Sequence, residues 1–130
     1  MIRSAFIASL YLFSLPVLAC GFENGERISS LDDAMLHYRV KSPPLKVAQH
    51  FSMQFLLCRD ETALQIEAFK LDALMPAHGH GMNYKASINW LDDGLVEASG
   101  MLFHMPGQWR VTVNISYDGV ARQTRLDFEI

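Results

Sequence analysis

Only two cysteines occur in the 130 residues, Cys20 and Cys58, and they are far apart in the chain. Zinc sites built on Cys-x-x-Cys pairs are therefore excluded. Blocks of like charge are missing too, since 11 basic and 14 acidic residues are scattered for a formal net charge of −3. A nucleic-acid surface or a polybasic membrane patch needs such a block, so neither is expected. No long stretch spaces its apolar residues for a helix, and no segment repeats another, which leaves out bundles and solenoids. The chemistry of an enzyme is sparse. Ser52 and Ser99 lack an elbow motif and Asp92 and Asp93 sit in a turn, so the protein reads as a non-enzyme. What remains is 50% apolar, enough for one domain with a single core and no outside staples.

The N-terminus reads as a targeting segment. Arg3 supplies a positive start, residues 5–15 are almost wholly apolar, and Val17-Leu18-Ala19 precedes a cleavage point. Residues 1–19 are thus expected to be a signal peptide, and the protein to be exported, to the periplasm of a bacterium. The apolar run is short and interrupted by Ser9, Ser14 and Pro16, which disfavours a permanent membrane helix. Removing residues 1–19 takes away Arg3 and no acid, leaving 10 basic against 14 acidic residues and a charge of −4. Cys20 has two readings. Val17-Leu18-Ala19-Cys20 resembles a lipobox, which would lipidate Cys20 and place the protein on a membrane; alternatively Cys20 pairs with Cys58 in an oxidising compartment. In 51–58 the apolar parity of Phe51, Met53, Phe55 and Leu57 sends Cys58 to the opposite face, where a free thiol would be reactive. Parity favours the disulfide.

Residues 20–33 are polar and read as an N-terminal arm, with one helical turn at most near 30–35. The domain is expected over 34–130. Strands are predicted at 34–40, closed by Pro43-Pro44; at 51–57; at 64–71, where the alternation slips at Phe69; and at 85–90 through Ala86, Ile88 and Trp90. Further strands follow at 95–103, broken by Ser99-Gly100, at 109–117 and at 120–130, with turns at Asp93-Gly94, Pro106-Gly107 and Asp118-Gly119. About seven short strands without helices predict an all-β, immunoglobulin-like sandwich of two antiparallel sheets.

Chemistry concentrates in two loops. Met75-Pro76-Ala77-His78-Gly79-His80-Gly81-Met82 carries two imidazoles and two thioethers in eight residues, and Met101-Leu102-Phe103-His104-Met105-Pro106-Gly107 echoes it. His78 and His80 are two apart, so an extended segment sends both to one face about 6–7 Å apart. Gly79 and Gly81 allow a fold that brings Met82 back toward them. Imidazole suits copper or zinc and thioether suits Cu(I), while neither loop holds an acid for a hard cation; copper is the metal this donor set selects. His78 and His80 are the expected primary ligands, Met82 and His104 auxiliary ones, and Met105 a further thioether. Met75 reads as packed, and one of Met101 and Met105 as core. His37 and His50 read as isolated.

With both clusters placed, the chain resembles the YtkA-like and FixH-like group of small extracytoplasmic proteins. The Pro-Pro-Leu-Lys-Val lead at 43–47 into strand 51–57, the Met75-Pro76-x-His78-x-His80-Gly81-Met82 block and Phe103-x-Met105-Pro106-Gly107-x-Trp109 carry the likeness over residues 38–117. The resemblance implies an immunoglobulin-like sandwich outside the cytoplasm. For some members it also implies copper handling or cytochrome oxidase maturation, with a copper-delivery partner or a membrane complex. A metal-free module that docks on such a complex is the alternative expectation.

Overall fold

A computed structural model describes residues 19–130, so the expected signal segment lies, but for Ala19, outside the described residues. Ten strands follow: β1 (Arg27–Leu31), β2 (Ala34–Val40), β3 (His50–Arg59), β4 (Thr62–Ala63), β5 (Ala68–Met75), β6 (His80–Gly81), β7 (Ser87–Trp90), β8 (Val96–Leu102), β9 (Gln108–Tyr117) and β10 (Val120–Glu129). They form two antiparallel sheets, the expected sandwich. One runs β1-β2-β3-β8-β7 with β4 against β3, and the other runs β10-β9-β5-β6. Among the described residues no helix is long and apolar enough to cross a membrane.

The core follows from period-two alternation on facing sheets. Trp109, Val111, Val113, Ile115 and Tyr117 of β9 are all buried, against Leu36 of β2, Met53, Phe55 and Leu57 of β3, and Val96 and Ala98 of β8. Phe103 stacks on Trp109 with centroids 4.7 Å apart. The predicted break at Ser99-Gly100 is a bulge instead: β3 and β8 stay paired, the register shifts between Phe51 and Met53, and Gly100 takes φ +72°.

Two boundaries differ from expectation. Arg27–Leu31 is a strand and not part of a loose arm; it pairs with β2 across Asp32-Asp33, with Asp32 at φ 51°. The sandwich therefore begins at Arg27, seven residues ahead of the expected Ala34. The strand expected at 64–71 is a crossing followed by a strand. Leu64 N–H donates to the Leu57 carbonyl in one sheet at 2.8 Å, Glu67 N–H to the Ser116 carbonyl in the other at 2.8 Å, and Ile66 is buried between. The slip of alternation at Phe69 marks the change of sheet.

The N-terminal end is tied down by the expected disulfide. Cys20 and Cys58 are bridged, with Cα atoms 6.0 Å apart, so the Cys20 sulfur is engaged in that bond. At the same pole Arg59 pairs with Asp33 at 2.5 Å and with Asp118 at 2.8 Å, while the Tyr117 hydroxyl donates to the Leu31 carbonyl at 2.7 Å. Burial opposes ionisation of Asp33, yet the Tyr117 hydroxyl and the Arg59 charge outweigh it and hold the carboxyl below the usual range. His37 is not isolated, since its Nδ1 lies 2.5 Å from Glu26 Oε1.

Candidate functional site

The opposite pole gathers the end of β5, the end of β8 and the start of β9. Both clusters lie there. After Met75 the chain turns at once: His78 N–H and Gly79 N–H both donate to the Met75 carbonyl, at 3.2 and 2.9 Å. Gly79 sits at φ +68°, a left-handed conformation that costs glycine nothing. β6 then returns antiparallel to β5, pairing His80 with Met75 and Gly81 with Leu74, and Met82 N–H donates to the Ala73 carbonyl at 3.2 Å. His78 and His80 are thereby carried on the tip of a tight hairpin, both exposed.

The second loop winds around its own tryptophan. Trp109 is fully buried, and its Nε1–H donates to the Met105 carbonyl at 2.9 Å. The His104 ring stands edge-on to the indole, centroids 5.3 Å apart. Gly107 closes the loop by exchanging two hydrogen bonds with Ile130, at 3.0 and 3.1 Å. Met75 joins the loops from below: a Cβ at Gly107, where φ is +127°, would lie 3.0 Å from the Met75 methyl carbon. Met75 is buried, as expected of a packed residue, and of Met101 and Met105 it is Met101 that lies in the core.

The two loops meet, and three imidazoles form a row. The ring centres of His78 and His80 are 5.7 Å apart, and those of His80 and His104 are 5.5 Å apart. A metal–nitrogen bond of about 2.0 Å puts an imidazole centre about 3.1 Å from an ion, so two rings on one ion at tetrahedral or trigonal angles have centres about 5.1–5.4 Å apart. The row has two spacings slightly wider than shared ligation requires. Its nitrogens have not converged: among the described residues no group of three or more His, Cys, Asp or Glu is already gathered for a metal ion. His78 and His80 must turn inward about their side-chain torsions. Met82 and Met105 are half-buried and packed against the core beneath them.

His104 holds the least satisfied atom of the pole. Its Nδ1 is buried and has no hydrogen-bond partner, whereas the large majority of buried side-chain polar atoms have one. Sequence reasoning missed a further contact. His50 opens β3 opposite Leu102, and its ring meets the half-exposed Tyr84 edge-on at 5.1 Å. Only the position of His50 at a strand start hinted that it would reach this end. A cavity of about 470 Å³ lies away from the row, lined by Arg27, Pro44 and Phe128 among others. The candidate site is an open, surface arrangement of borderline and soft donors, without an acid in either loop.

Fold and site together define an antiparallel β-sandwich with a histidine- and methionine-bearing pole. No family model and no curated protein matches the chain. Among solved structures it is similar to a DUF4426 family protein from Pseudomonas aeruginosa PAO1, with a TM-score of 0.63 at 12% identity over 84% of this chain and 97% of that one. It is also similar to a DUF4785 family protein from Legionella pneumophila, with a TM-score of 0.57 at 12% identity over 75% of this chain and 29% of that one. At such identities the likeness bears on the fold alone.

Proposed function

We propose that the protein is an exported, non-enzymatic copper-binding protein that buffers copper or hands it to a partner through the His78, His80 and His104 row. The observation that carries this reading is the row itself, with ring centres 5.7 and 5.5 Å apart and an unpartnered buried His104 Nδ1 at its inner end. A metal bond would satisfy that atom. His104 is held by Trp109 and supplies a fixed donor, while the exposed His78 and His80 close on the ion from solvent. Met82 and Met105 offer thioethers nearby, which favour Cu(I) over zinc. The Cys20–Cys58 bridge fits an oxidising compartment, and the YtkA-like and FixH-like resemblance points to the same setting.

The test is Cu(I) titration of the protein against a competing chelator. The His78→Ala, His80→Ala double variant and His104→Ala should each weaken binding by at least about tenfold, a loss of about 1.4 kcal/mol. Affinity unchanged in both would sink the assignment. A second reading, a metal-free module docking on a membrane complex, is favoured by the unconverged nitrogens. It predicts no thermal shift with copper, whereas a ligand at 100 times its Kd adds about 2.7 kcal/mol.

A further inference from the structure

The two sheets are not equally wide. On one side of the sandwich β1 lies beside β10, with Ser29 Oγ and Thr124 Oγ1 2.6 Å apart. On the other side β7 extends past its opposing sheet, because β6 pairs with only Leu74 and Met75 of β5. Among the described residues nothing pairs with the outer edge of β5 between Ala68 and Asp72. A strand is missing there.

Side-chain parity shows what that strand would cover. Ile88 and Trp90 pair with Ala98 and Val96, both fully buried, so they belong to the inward face of their sheet. Trp90 is nevertheless 52% exposed, because the opposing sheet ends before reaching it. Between β5 and β7 runs a lateral cleft of about 380 Å³, floored by Phe69, Leu71, Ala86 and Ile88. Its rim carries Lys70 and Lys85. Asp72 also lines the cleft, and its Oδ1 accepts from Ala73 N–H at 2.9 Å.

The backbone edge is also ready. Ala73 directs its carbonyl to Met82, away from β9. Alternation along an antiparallel strand sends the N–H and C=O of Phe69 and Leu71 to that same free side. We infer that this cleft is a strand-addition site for an extended peptide of a partner protein, with alternate apolar residues facing Ile88 and Trp90 and acidic residues meeting Lys70 and Lys85. Main-chain hydrogen bonds to Phe69 and Leu71 hold the strand, the apolar floor selects alternate side chains, and the two lysines select acidic flanks. This is independent of copper, since the cleft lies along the side of the sandwich and not at its histidine pole.

The test uses the protein begun at Cys20 and a synthetic peptide, Glu-Val-Ser-Val-Ser-Val-Glu, at millimolar concentration. Trp109 is already fully buried, so a change in tryptophan emission reports Trp90. The peptide should shift emission to the blue and slow amide exchange at Phe69 and Leu71 at least about tenfold. The Lys70→Glu, Lys85→Glu variant should weaken the response several-fold, and a peptide with the central valine replaced by proline should give none. No response, or an equal response to the proline peptide, overturns the inference. So does protection of the same amides without peptide, whether by a concentration-dependent second copy or by residues 1–18 in the full chain.

Discussion

Breaking the Cys20–Cys58 bridge while leaving the core intact is the sharpest perturbation of this fold. The bridge spans a sequence separation of 38 and encloses β1, β2 and most of β3. Cross-linking a loop of that length removes conformational entropy from the unfolded chain worth about 4 kcal/mol at 25 °C. Cys58 is buried at 3% exposure, so replacing it would add a packing loss. Cys20→Ala avoids this, because the Cys58 thiol stays in place. Oxidised wild type, reduced wild type and reduced Cys20→Ala should be compared by chemical denaturation. The last two should coincide, about 4 kcal/mol below the first, and melt roughly 15 °C lower. Residual pairing of β1 with β2 in the unfolded chain would shorten the effective loop and reduce the difference. Two results refute the reasoning: a difference under about 1 kcal/mol, or both thiols alkylating without reductant.

Two further predictions concern the hydrogen bonds and ion pairs that hold the sheets. Tyr117→Phe removes the hydroxyl that donates to the Leu31 carbonyl and lies 3.1 Å from Asp33 Oδ1, and should cost about 1–2 kcal/mol; an unchanged denaturation midpoint would count against it. Asp127 is held below the usual carboxylate range first by its hydrogen bond from Arg110, at 2.8 Å, and by that guanidinium's charge. A depressed folded value contributes stability that is present above the unfolded carboxylate value and lost as pH falls through the folded one. Asp127→Asn should therefore flatten the acid limb of a stability profile below about pH 4. Its neutral-pH cost should stay under about 1 kcal/mol, because the pair is partly exposed. An unchanged acid limb would refute the role.

Much of the fold was legible because alternation records burial. β9 shows it plainly, with five large apolar residues at every second position, all of them buried. β1 was illegible for the same reason: at the sheet edge only Leu31 is buried and Ile28 is half-exposed, so Arg-Ile-Ser-Ser-Leu shows no alternation to betray the strand. The crossing at 64–67 keeps an alternating pattern without being a strand, since Ile66 is buried by both sheets in passing. At the histidine pole, the residue types in each loop showed in the sequence, but their meeting did not. That depends on Met75 lying under Gly107 and on Trp109 gripping the loop that bears His104. Trp90 is the converse case, placed on the core face by parity but left half-exposed by a difference in sheet width that no single strand records.

The hydrogen bonds between Gly107 and Ile130 have a practical consequence. They hold Ile130 beside the loop that carries His104, while Cys20 is fastened at the far end of β3, some 25 Å away along the strand. A polyhistidine tag added after Ile130 would hang next to the imidazole row and compete with it for copper. One added ahead of Cys20 would start from the opposite pole. Tag placement therefore decides whether a metal titration reports this protein or its handle.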